Sequence, residues 1–318
     1  MIRAGVVGLG RIGHGFGVGA DGDPLCHSEA YARLPEVTLA AGVDPDPARR
    51  AAFAARFPHA LCVPVLEELP PGTRLDVVSI ASPTPAHHAS VLAALRFGPR
   101  ALLLEKPVAP TAREARAIAA AAQAAGCPVL VNYSRRFAPL LPALAAAVAP
   151  TGPLGGATGA CLRYSGGLAH NGTHWIDLFA ALFGRPAHAA RALTPGDAGA
   201  DPPEAVVMRW EQGLIAQLVP ALGAGWSVGE GELWGRGGIV RLAASGRRLT
   251  LARTRPSPWA GFNELGPEET LCEDGLAGHL LEATRQAVGL ASRGGVPVCN
   301  ADDGVWALDL VERIRGGL

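Results

Sequence analysis

A short apolar run that ends in a glycine-rich loop constrains the fold of this chain more than any other feature. The run at 3–7 is followed at once by glycines in the order Gly8-x-Gly10-x-x-Gly13. Glycine permits a tight turn there and lets the backbone approach a pyrophosphate, which the amides of Arg11 and Ile12 can hydrogen-bond. The pattern predicts a strand followed by a dinucleotide-binding loop; a glycine turn that binds nothing is the alternative.

The second predicted strand, 37–43, ends at Asp44, and this acid supports the dinucleotide interpretation. A carboxylate at that position can accept hydrogen bonds from both ribose hydroxyls of an adenosine. It would also repel a 2′-phosphate, so Asp44 favours NAD over NADP as the cofactor. Arg49 and Arg50 follow closely in the sequence and leave NADP open as the alternative.

The interval between the glycine loop and Asp44 exceeds the usual spacing of about 20 residues. The excess lies in HGFGVGADGDPLC, residues 14–26, which contains too many glycines for a helix. We interpret this segment as an inserted loop, with a flap over the cofactor as one interpretation. We expect the helix to resume near Ser28.

Short apolar runs and helical segments alternate through the first part of the chain. The predicted strands are 3–7, 37–43, 75–81, 101–104 and 129–133. The helices between them have recognisable starts, namely Asp46 before Pro47, Thr84 before Pro85, and Thr111 with Glu114 as a capping box. This alternation predicts a Rossmann-type, doubly wound parallel sheet, which binds ligands at the carboxyl ends of its strands.

The pattern changes after residue 133. Helical segments near 139–149 and 173–184 are followed by β-type segments joined by glycine-rich turns, and two helices close the chain. Strands in succession predict an antiparallel sheet. We therefore predict an α/β chain with two domains: residues 1–133 form an NAD(P)-binding Rossmann domain, and residues 134–318 form an α+β domain.

Charge and composition argue against several classes of protein. The 28 basic and 28 acidic residues balance, and the absence of a basic stripe argues against binding to nucleic acid or to an anionic membrane. The longest stretch without a charge, 137–162, carries prolines and glycines that exclude a membrane helix. The six cysteines lack metal-ligand spacing and predict reduced, buried thiols. With no signal peptide recognisable at the start, we expect a soluble, cytoplasmic protein without a metal site.

Lys106 is the only lysine of the chain, and every other basic residue among the 28 is arginine. Arginine presents a wide planar fork, whereas lysine is a compact ammonium whose pKa can be moved by burial. Because Lys106 follows the predicted strand 101–104, we expect it to project into the crevice at the strand ends. An ammonium there can hold a substrate hydroxyl and favour its alkoxide as hydride leaves. Chance survival of one surface lysine is the alternative.

Four motifs in order resemble the Gfo/Idh/MocA oxidoreductase family: GLGRIG, SPTPAHH, EKP and NGTHWID. The resemblance covers nearly the whole chain. It implies an NAD(P)-dependent enzyme that acts on a sugar-like polyol or a nucleotide sugar. It also implies that the second domain binds substrate and carries a large, open, mostly antiparallel sheet, often used for homo-oligomer contacts in a dimer or tetramer. In this family the Lys–Pro bond of EKP is commonly cis, which would aim the lysine at the nicotinamide ring.

The same resemblance implies roles for individual residues. The catalytic lysine of the family falls on Lys106 and its catalytic histidine on His174, although His174 with Asp177 could also be a mere helix cap. The family usually has an aspartate four residues before that histidine, where this chain has His170. His170 could replace it as a proton relay, or Asn171 could position the substrate without proton transfer. The further cofactor contacts that the resemblance implies are Ser82, Pro83, Thr84, His87 and Glu105.

Three polar side chains near the predicted domain junction are candidates for contacting substrate: Asn132, Arg136 and Tyr164. Ordinary packing is the alternative for each. The combined expectation is an NAD-dependent dehydrogenase in which His174 takes the hydroxyl proton, Lys106 polarises the oxygen and hydride passes to nicotinamide C4. Two alternatives are an NAD-dependent glycosidase that oxidises its substrate transiently, and a non-catalytic NAD(P)-binding regulatory protein.

Overall fold

The computed structural model describes residues 1–193 and 199–316. By its contacts the chain divides into two units, Met1–Phe137 with Gly278–Leu308, and Ala138–Ala277 with Asp309–Leu318. The predicted boundary after residue 133 falls close to Phe137. The segment 278–308, which belongs to the predicted second domain, lies in the first unit instead. Residues 194–198 and 317–318 of that predicted domain lie outside the described part of the chain.

The first unit contains a parallel sheet with the strand order β3-β2-β1-β4-β5-β6. Its strands are β1 (Ile2–Val7), β2 (Val37–Val43), β3 (Leu61–Val63), β4 (Val77–Ile80), β5 (Ala101–Leu104) and β6 (Val129–Val131). The predicted doubly wound sheet is confirmed. Because the strand order reverses between β1 and β4, ligand binding is favoured at the carboxyl ends of these two strands. The strand β3 is short and partly exposed, and the sequence patterns did not predict it.

Helices accompany both sheets. They are α1 (His27–Ala32), α2 (Pro47–Arg56), α3 (His87–Leu95), α4 (Ala112–Ala124), α5 (Leu140–Val148), α6 (Thr173–Phe183), α7 (His279–Arg293) and α8 (Ala301–Gly316). The predicted cap at Asp46 is confirmed, since its carboxylate accepts from the amides of Ala48 and Arg49. The predicted cap at Thr84 is wrong, because residues Thr84–Ala86 form a 3₁₀ turn without a side-chain cap, and α3 begins at His87.

The helix α7 explains why the chain returns to the first unit. Its buried face includes Leu280, Ala283 and Ala287, and it packs against α1, β5 and the 3₁₀ turn at Ser134–Phe137. An amphipathic helix stabilises whichever apolar surface it covers. Nothing in its own sequence indicates which of the two sheets that surface belongs to.

The second unit contains a sheet with the strand order β14-β13-β12-β11-β7-β10-β9-β8. The strands are β7 (Ala157–Tyr164), β8 (His188–Leu193), β9 (Ala205–Arg209), β10 (Ile215–Pro220), β11 (Gly229–Gly235), β12 (Gly238–Ala243), β13 (Arg248–Pro256) and β14 (Asn263–Cys272). All neighbours pair antiparallel except β7 and β10. The predicted α+β architecture with a mostly antiparallel sheet is therefore confirmed.

The segment 14–26 forms an irregular turn, as predicted. A π-helical turn at Arg11–Gly15 leads into a turn closed by a bridge between Val18 and Pro24. The Cys26 thiol lies 3.1 Å from the carbonyl oxygen of His14. The helix α1 then begins at His27, one residue before the predicted position.

Two further expectations concern buried thiols and membrane-spanning helices. All six cysteines are free thiols, but only Cys26, Cys127 and Cys299 are buried. The prediction of buried thiols is therefore wrong for Cys62, Cys161 and Cys272, which are partly exposed. Within residues 1–193 and 199–316, every helix is too short or too polar to cross a membrane.

Candidate active site

The glycine loop after β1 is packed so tightly that two of its glycines cannot be replaced. Gly8 has a φ of +89°, and a Cβ on it would overlap the backbone of Ser82. A Cβ on Gly13 would overlap the carbonyl group of Gly8. A Cβ on Gly10, in contrast, would meet nothing closer than the Arg49 guanidinium at 3.8 Å. The space beside the Gly10 Cα is therefore not filled by protein atoms. A loop that binds a pyrophosphate requires such space.

Asp44 lies at the carboxyl end of β2 and is only 3% exposed. Its Oδ2 accepts a hydrogen bond from the Leu9 amide at 2.8 Å, and its Oδ1 accepts one from the Asp46 amide at 2.9 Å. The Arg49 guanidinium lies 3.5 Å from Oδ2. A carboxylate oxygen has two lone-pair sites, so each oxygen can still accept a ribose hydroxyl.

A cavity of about 460 Å³ borders Asp44 and is largely apolar. Gly8, Arg49, Ser82 and Pro83 also line it. The structure thus brings together the predicted cofactor residues from the ends of β1, β2 and β4. An adenosine fits these residues, because the apolar cleft suits its base and the carboxylate can accept hydrogen bonds from its ribose. Arg11, Ile12 and Gly13 lie in the adjoining π-helical turn, and Thr84 begins the 3₁₀ turn after Pro83.

His87 is buried at 1% exposure, and its ring connects two loops. Nε2 lies 2.8 Å from the Ser82 carbonyl oxygen, and Nδ1 lies 3.0 Å from that of Pro107. Burial lowers the pKa of His87, although the hydrogen bonds to these carbonyls and the charge of Glu105 oppose the shift. This placement favours a role in holding the loops together over the predicted contact with the cofactor.

The lowered pKa of His87 predicts a stability that depends on pH. Below about pH 6.5 the unfolded chain protonates this imidazole, while the folded chain resists protonation, so the free energy of unfolding falls as the pH falls. Melting temperatures at about pH 7.5 and about pH 5.5 should differ less for His87→Gln than for the wild type. His59→Gln, at an exposed turn position, is the matched control. An unchanged difference in His87→Gln would contradict the prediction.

The segment after β5 holds a buried carboxylate beside the lone lysine. Glu105 Oε1 accepts from Asn132 Nδ2 at 2.6 Å and faces His27 Nε2 at 3.1 Å. Burial alone would raise the pKa of Glu105, but these two hydrogen bonds and the charges of His27 and Lys106 together hold it below its usual value. The contacts of the Glu105 carboxylate thus lie within the protein, and this side chain does not line the Asp44 cavity.

Lys106 is half-buried at the carboxyl end of β5, as predicted. The Lys106–Pro107 peptide bond is cis, as the resemblance implied. Asn132 follows the neighbouring strand β6, and its backbone N–H donates to the Leu104 carbonyl at 2.8 Å. Two of the predicted substrate residues therefore lie at adjacent strand ends. Arg136 lies in the 3₁₀ turn after β6 and donates to the Val298 carbonyl at 3.4 Å, which favours packing over substrate contact.

The second unit carries the other predicted catalytic residues on a π-helical turn and on the helix that follows it. A π-helical turn at Leu168–Gly172 leads directly into α6. His170 is exposed within this turn, and His174 is half-buried one helical turn later. Asn171 donates from Nδ2 to the Ser165 carbonyl at 2.8 Å. The amide of Asn171 is thereby oriented, which leaves its carbonyl oxygen as the group able to meet a substrate.

Two residues that the sequence patterns did not predict hold this turn. Asp201 accepts from the amides of Ala169 and His170, both at 2.9 Å. The Arg315 guanidinium donates from Nη2 to Asp201 Oδ1 at 2.6 Å and from Nε to Glu204 Oε2 at 2.8 Å. Hydrogen bonds between charged groups and to backbone amides are among the stronger ones. Asp201 and Arg315 therefore fix the backbone of the segment that carries His170 and His174.

Tyr164, the third candidate for contacting substrate, lies at the end of β7. It is fully buried, and its hydroxyl donates to the Glu204 carbonyl at 2.8 Å and accepts from the Glu204 amide at 2.9 Å. The single hydroxyl proton is thus already used. The placement favours packing within the second unit over contact with a substrate.

Known proteins resemble this chain in sequence and in fold. Residues 2–133 match the family described as "Oxidoreductase family, NAD-binding Rossmann fold". The inositol 2-dehydrogenase of Acidothermus cellulolyticus is 29% identical over 280 residues, which is 80% of this chain and 77% of that protein.

Two solved structures show the fold. The putative oxidoreductase yvaA of Bacillus subtilis has a TM-score of 0.79 at 17% identity, over 99% of this chain and 95% of its own. Levoglucosan dehydrogenase, in complex with NADH and levoglucosan, has a TM-score of 0.75 at 18% identity, over 99% and 97%.

An NAD-binding oxidoreductase is the class that this fold and its strand-end loops define. Residues 2–133 match the Gfo/Idh/MocA family, and the class of activity that this match and the inositol 2-dehydrogenase relative support is that of a dehydrogenase.

Proposed function

We propose that this dehydrogenase oxidises a hydroxyl-bearing carbon of a polyhydroxylated substrate, a sugar-like polyol or a nucleotide sugar. The relatives support this class, since one is named for inositol and another holds levoglucosan. The observation that carries the proposal is the position of the only lysine, at the carboxyl end of β5 in a doubly wound sheet. Substrates of such sheets bind outside the carboxyl ends of the strands.

Each residue of the proposed site has a separate role in this reaction. NAD, when bound, supplies the acceptor for the hydride that leaves the carbon. The Lys106 ammonium donates a hydrogen bond to the substrate oxygen and stabilises the negative charge that develops there. His174 takes the hydroxyl proton, so that the hydroxyl becomes a carbonyl and two electrons leave with the hydride. Asn132 and Asn171 orient other hydroxyls, and His170 passes the proton from His174 to solvent.

A panel of inositols, sugars and nucleotide sugars tests this proposal through formation of NADH. We expect absorbance of NADH to accumulate with at least one compound and not with the Lys106→Met variant. Consumption of a glycoside without net NADH would instead support the glycosidase alternative. Binding of NAD without turnover of any compound would support the regulatory alternative.

The charge of Asp44 predicts a preference for NAD. A 2′-phosphate would be placed against a buried carboxylate, so we expect NAD to bind at least about tenfold more tightly than NADP. Dissociation constants for both cofactors check this expectation. Arg49→Met should weaken NADP further, whereas Arg50→Met should not, because the Arg50 guanidinium already donates to the carbonyls of Asp44 and Pro45. Equal or tighter binding of NADP by the wild type would contradict the assignment.

The open face of the second sheet supports a homo-oligomer, either a dimer or a tetramer. Ile215, Val219 and Trp234 are 45%, 36% and 39% exposed, and the strand register places them on one face. Exposed apolar side chains grouped in this way favour a protein interface. We expect light scattering to give a multiple of the chain mass, and Trp234→Glu to reduce it. Trp226→Glu, outside the strands, is the control; a monomeric wild type would contradict the proposal.

The six free thiols support the cytoplasm as the location, because reducing compartments keep cysteines unpaired. Fractionation of cells that express the protein tests this location. Recovery outside the cytoplasmic fraction would contradict it.

A further inference from the structure

The π-helical turn before α6 directs three successive backbone N–H groups at one short segment of the chain. The amide of Leu168 donates to the Pro202 carbonyl at 3.1 Å. The amides of Ala169 and His170 donate to the two oxygens of the Asp201 carboxylate, each at 2.9 Å. The first N–H groups of a helical turn have no partner within the turn. The segment that contains Asp201 therefore supplies the acceptors that this turn lacks.

Gly167 precedes the turn and makes room for the Asp201 carboxylate. A Cβ on Gly167 would overlap the side chain and the carbonyl oxygen of Asp201. The backbone of Gly167 has a φ of −73° and a ψ of 158°, an extended conformation that any residue can adopt. Because this conformation does not require glycine, the close approach of Asp201 is what excludes a side chain here.

Arg315, near the end of α8, holds the Asp201 carboxylate from its other side. The guanidinium donates from Nη2 to Asp201 and from Nε to Glu204, and Glu204 is only 1% exposed. Its backbone N–H and carbonyl are both bonded to the Tyr164 hydroxyl. Since a guanidinium is a rigid planar fork, the buried Glu204 carboxylate fixes the position of the guanidinium, and the guanidinium fixes that of Asp201.

The position of His174 depends on this arrangement. The helix α6 continues the turn without a break, and His174 is its second residue. The Thr173 hydroxyl also donates to the Ala169 carbonyl at 2.7 Å, which links the first residue of α6 to a residue whose amide Asp201 binds. A general base acts only within hydrogen-bond reach of the proton that it takes. A displacement of the turn would therefore remove His174 from that proton.

We propose that Asp201 is a positioning residue for the reaction: its carboxylate fixes the turn before α6 and thereby the position of His174, while Gly167 and Arg315 keep the carboxylate in place. Asp201 acts through backbone amides and takes no proton itself. The effect on catalysis rests on the proposed function, whereas the capping of the turn does not.

Exchange of the His170 backbone amide with solvent tests the cap without any activity. Labelling with ¹⁵N-histidine gives one amide signal for each of the nine histidines, and His170→Ala identifies the signal of residue 170. Asp201→Ala removes both acceptors, so we expect this amide to exchange at least about tenfold faster than in the wild type. Unchanged exchange in Asp201→Ala would overturn the proposal.

Asp201→Asn is the milder variant, because it keeps the shape of the side chain. Oδ1 accepts from two donors, Ala169 and Arg315, whereas Oδ2 accepts only from His170. The asparagine should therefore turn its oxygen to the two donors and its NH₂ to the His170 amide, which then has no acceptor. We expect the His170 amide to exchange faster in this variant also.

The consequence for catalysis is measured as a difference between kcat and KM. Displacement of His174 should lower kcat by about 10- to 100-fold in Asp201→Asn, with KM and the dissociation constant of NAD close to their wild-type values. Gly167→Ala displaces the carboxylate without changing a polar group and should show the same pattern. Thr111→Ala, which removes the side-chain cap of α4, is the matched control and should lower the melting temperature only.

Two results of these kinetics would contradict the positioning role. A lower melting temperature with unchanged kcat in Asp201→Asn would show that Asp201 is structural only. Faster exchange of the His170 amide with unchanged kcat would show that the cap exists but does not position His174. If no compound is turned over at all, the proposed function fails, and the exchange measurement still tests the cap.

Combining two substitutions tests whether Arg315 acts through Asp201. Arg315→Met alone should accelerate exchange of the His170 amide, and Arg315→Lys should do so less, because an ammonium can still reach one of the two carboxylates. In the double variant Asp201→Ala with Arg315→Met, exchange should be no faster than in Asp201→Ala alone. Additive acceleration by the two substitutions would overturn the assignment of Arg315.

Discussion

Replacing Lys106 with arginine is expected to lower kcat/KM by about 100-fold, nearly as much as replacing it with methionine. If Lys106 only balanced charge, arginine would preserve most of the activity. The site instead requires a compact ammonium against one substrate oxygen, and a planar guanidinium on a longer chain misses this atom or displaces the substrate. A misplacement of about 1 Å is sufficient for a loss of this size.

The fold should survive both changes at Lys106, because the side chain is only half-buried at a strand end. Melting temperatures and dissociation constants for NAD provide the comparison. Arg96→Lys, at an exposed ion pair with Glu67, is the matched control and should leave kcat/KM unchanged. An active Lys106→Arg enzyme would show that the single lysine survived by chance.

His174→Ala is expected to lower kcat by about 10²- to 10⁴-fold, the usual contribution of a general base. The affinity for NAD should remain close to that of the wild type, because His174 belongs to the second unit and the glycine loop belongs to the first. Steady-state kinetics measures the loss of kcat, and titration with NAD measures the cofactor affinity.

His170→Ala separates the roles of His170 and His174. Its exposed position suits a relay to solvent, so we expect a smaller loss than for His174→Ala. The loss should be partly recovered by added imidazole, which can carry the proton in its place. Near-wild-type kcat in His174→Ala, with a large loss in His170→Ala, would assign the general base to His170.

Local sequence signals predicted most of the first unit and less of the second. The glycine loop, the cap at Asp46 and the capping box at Thr111 are formed by neighbouring residues, and the structure confirms them. The strand β14 carries mostly exposed side chains, among them Glu264, Glu268 and Glu269, and it pairs with β13. A strand that is held mainly by pairing with its neighbour need not show an apolar period.

The same distinction applies to the site. Lys106 could be predicted because a residue that follows a parallel strand must lie at its carboxyl end. Asp201 and Arg315 could not, because they act on the turn at Leu168–Gly172 from distant parts of the sequence. The sequence position of Tyr164 predicts contact with substrate, and the family resemblance implies that His87 contacts the cofactor. Burial with backbone partners favours structural roles for both instead.

Transfer of deuterium from substrate to cofactor tests the central claim most directly. A compound that yields NADH in the panel is prepared with deuterium on its hydroxyl-bearing carbons and incubated with the enzyme and NAD. The proposed function predicts that NADH gains one deuterium per carbonyl formed and that formation slows when Lys106 is replaced by methionine. NADH without deuterium, or a product formed while the cofactor stays oxidised, would contradict direct hydride transfer by this site.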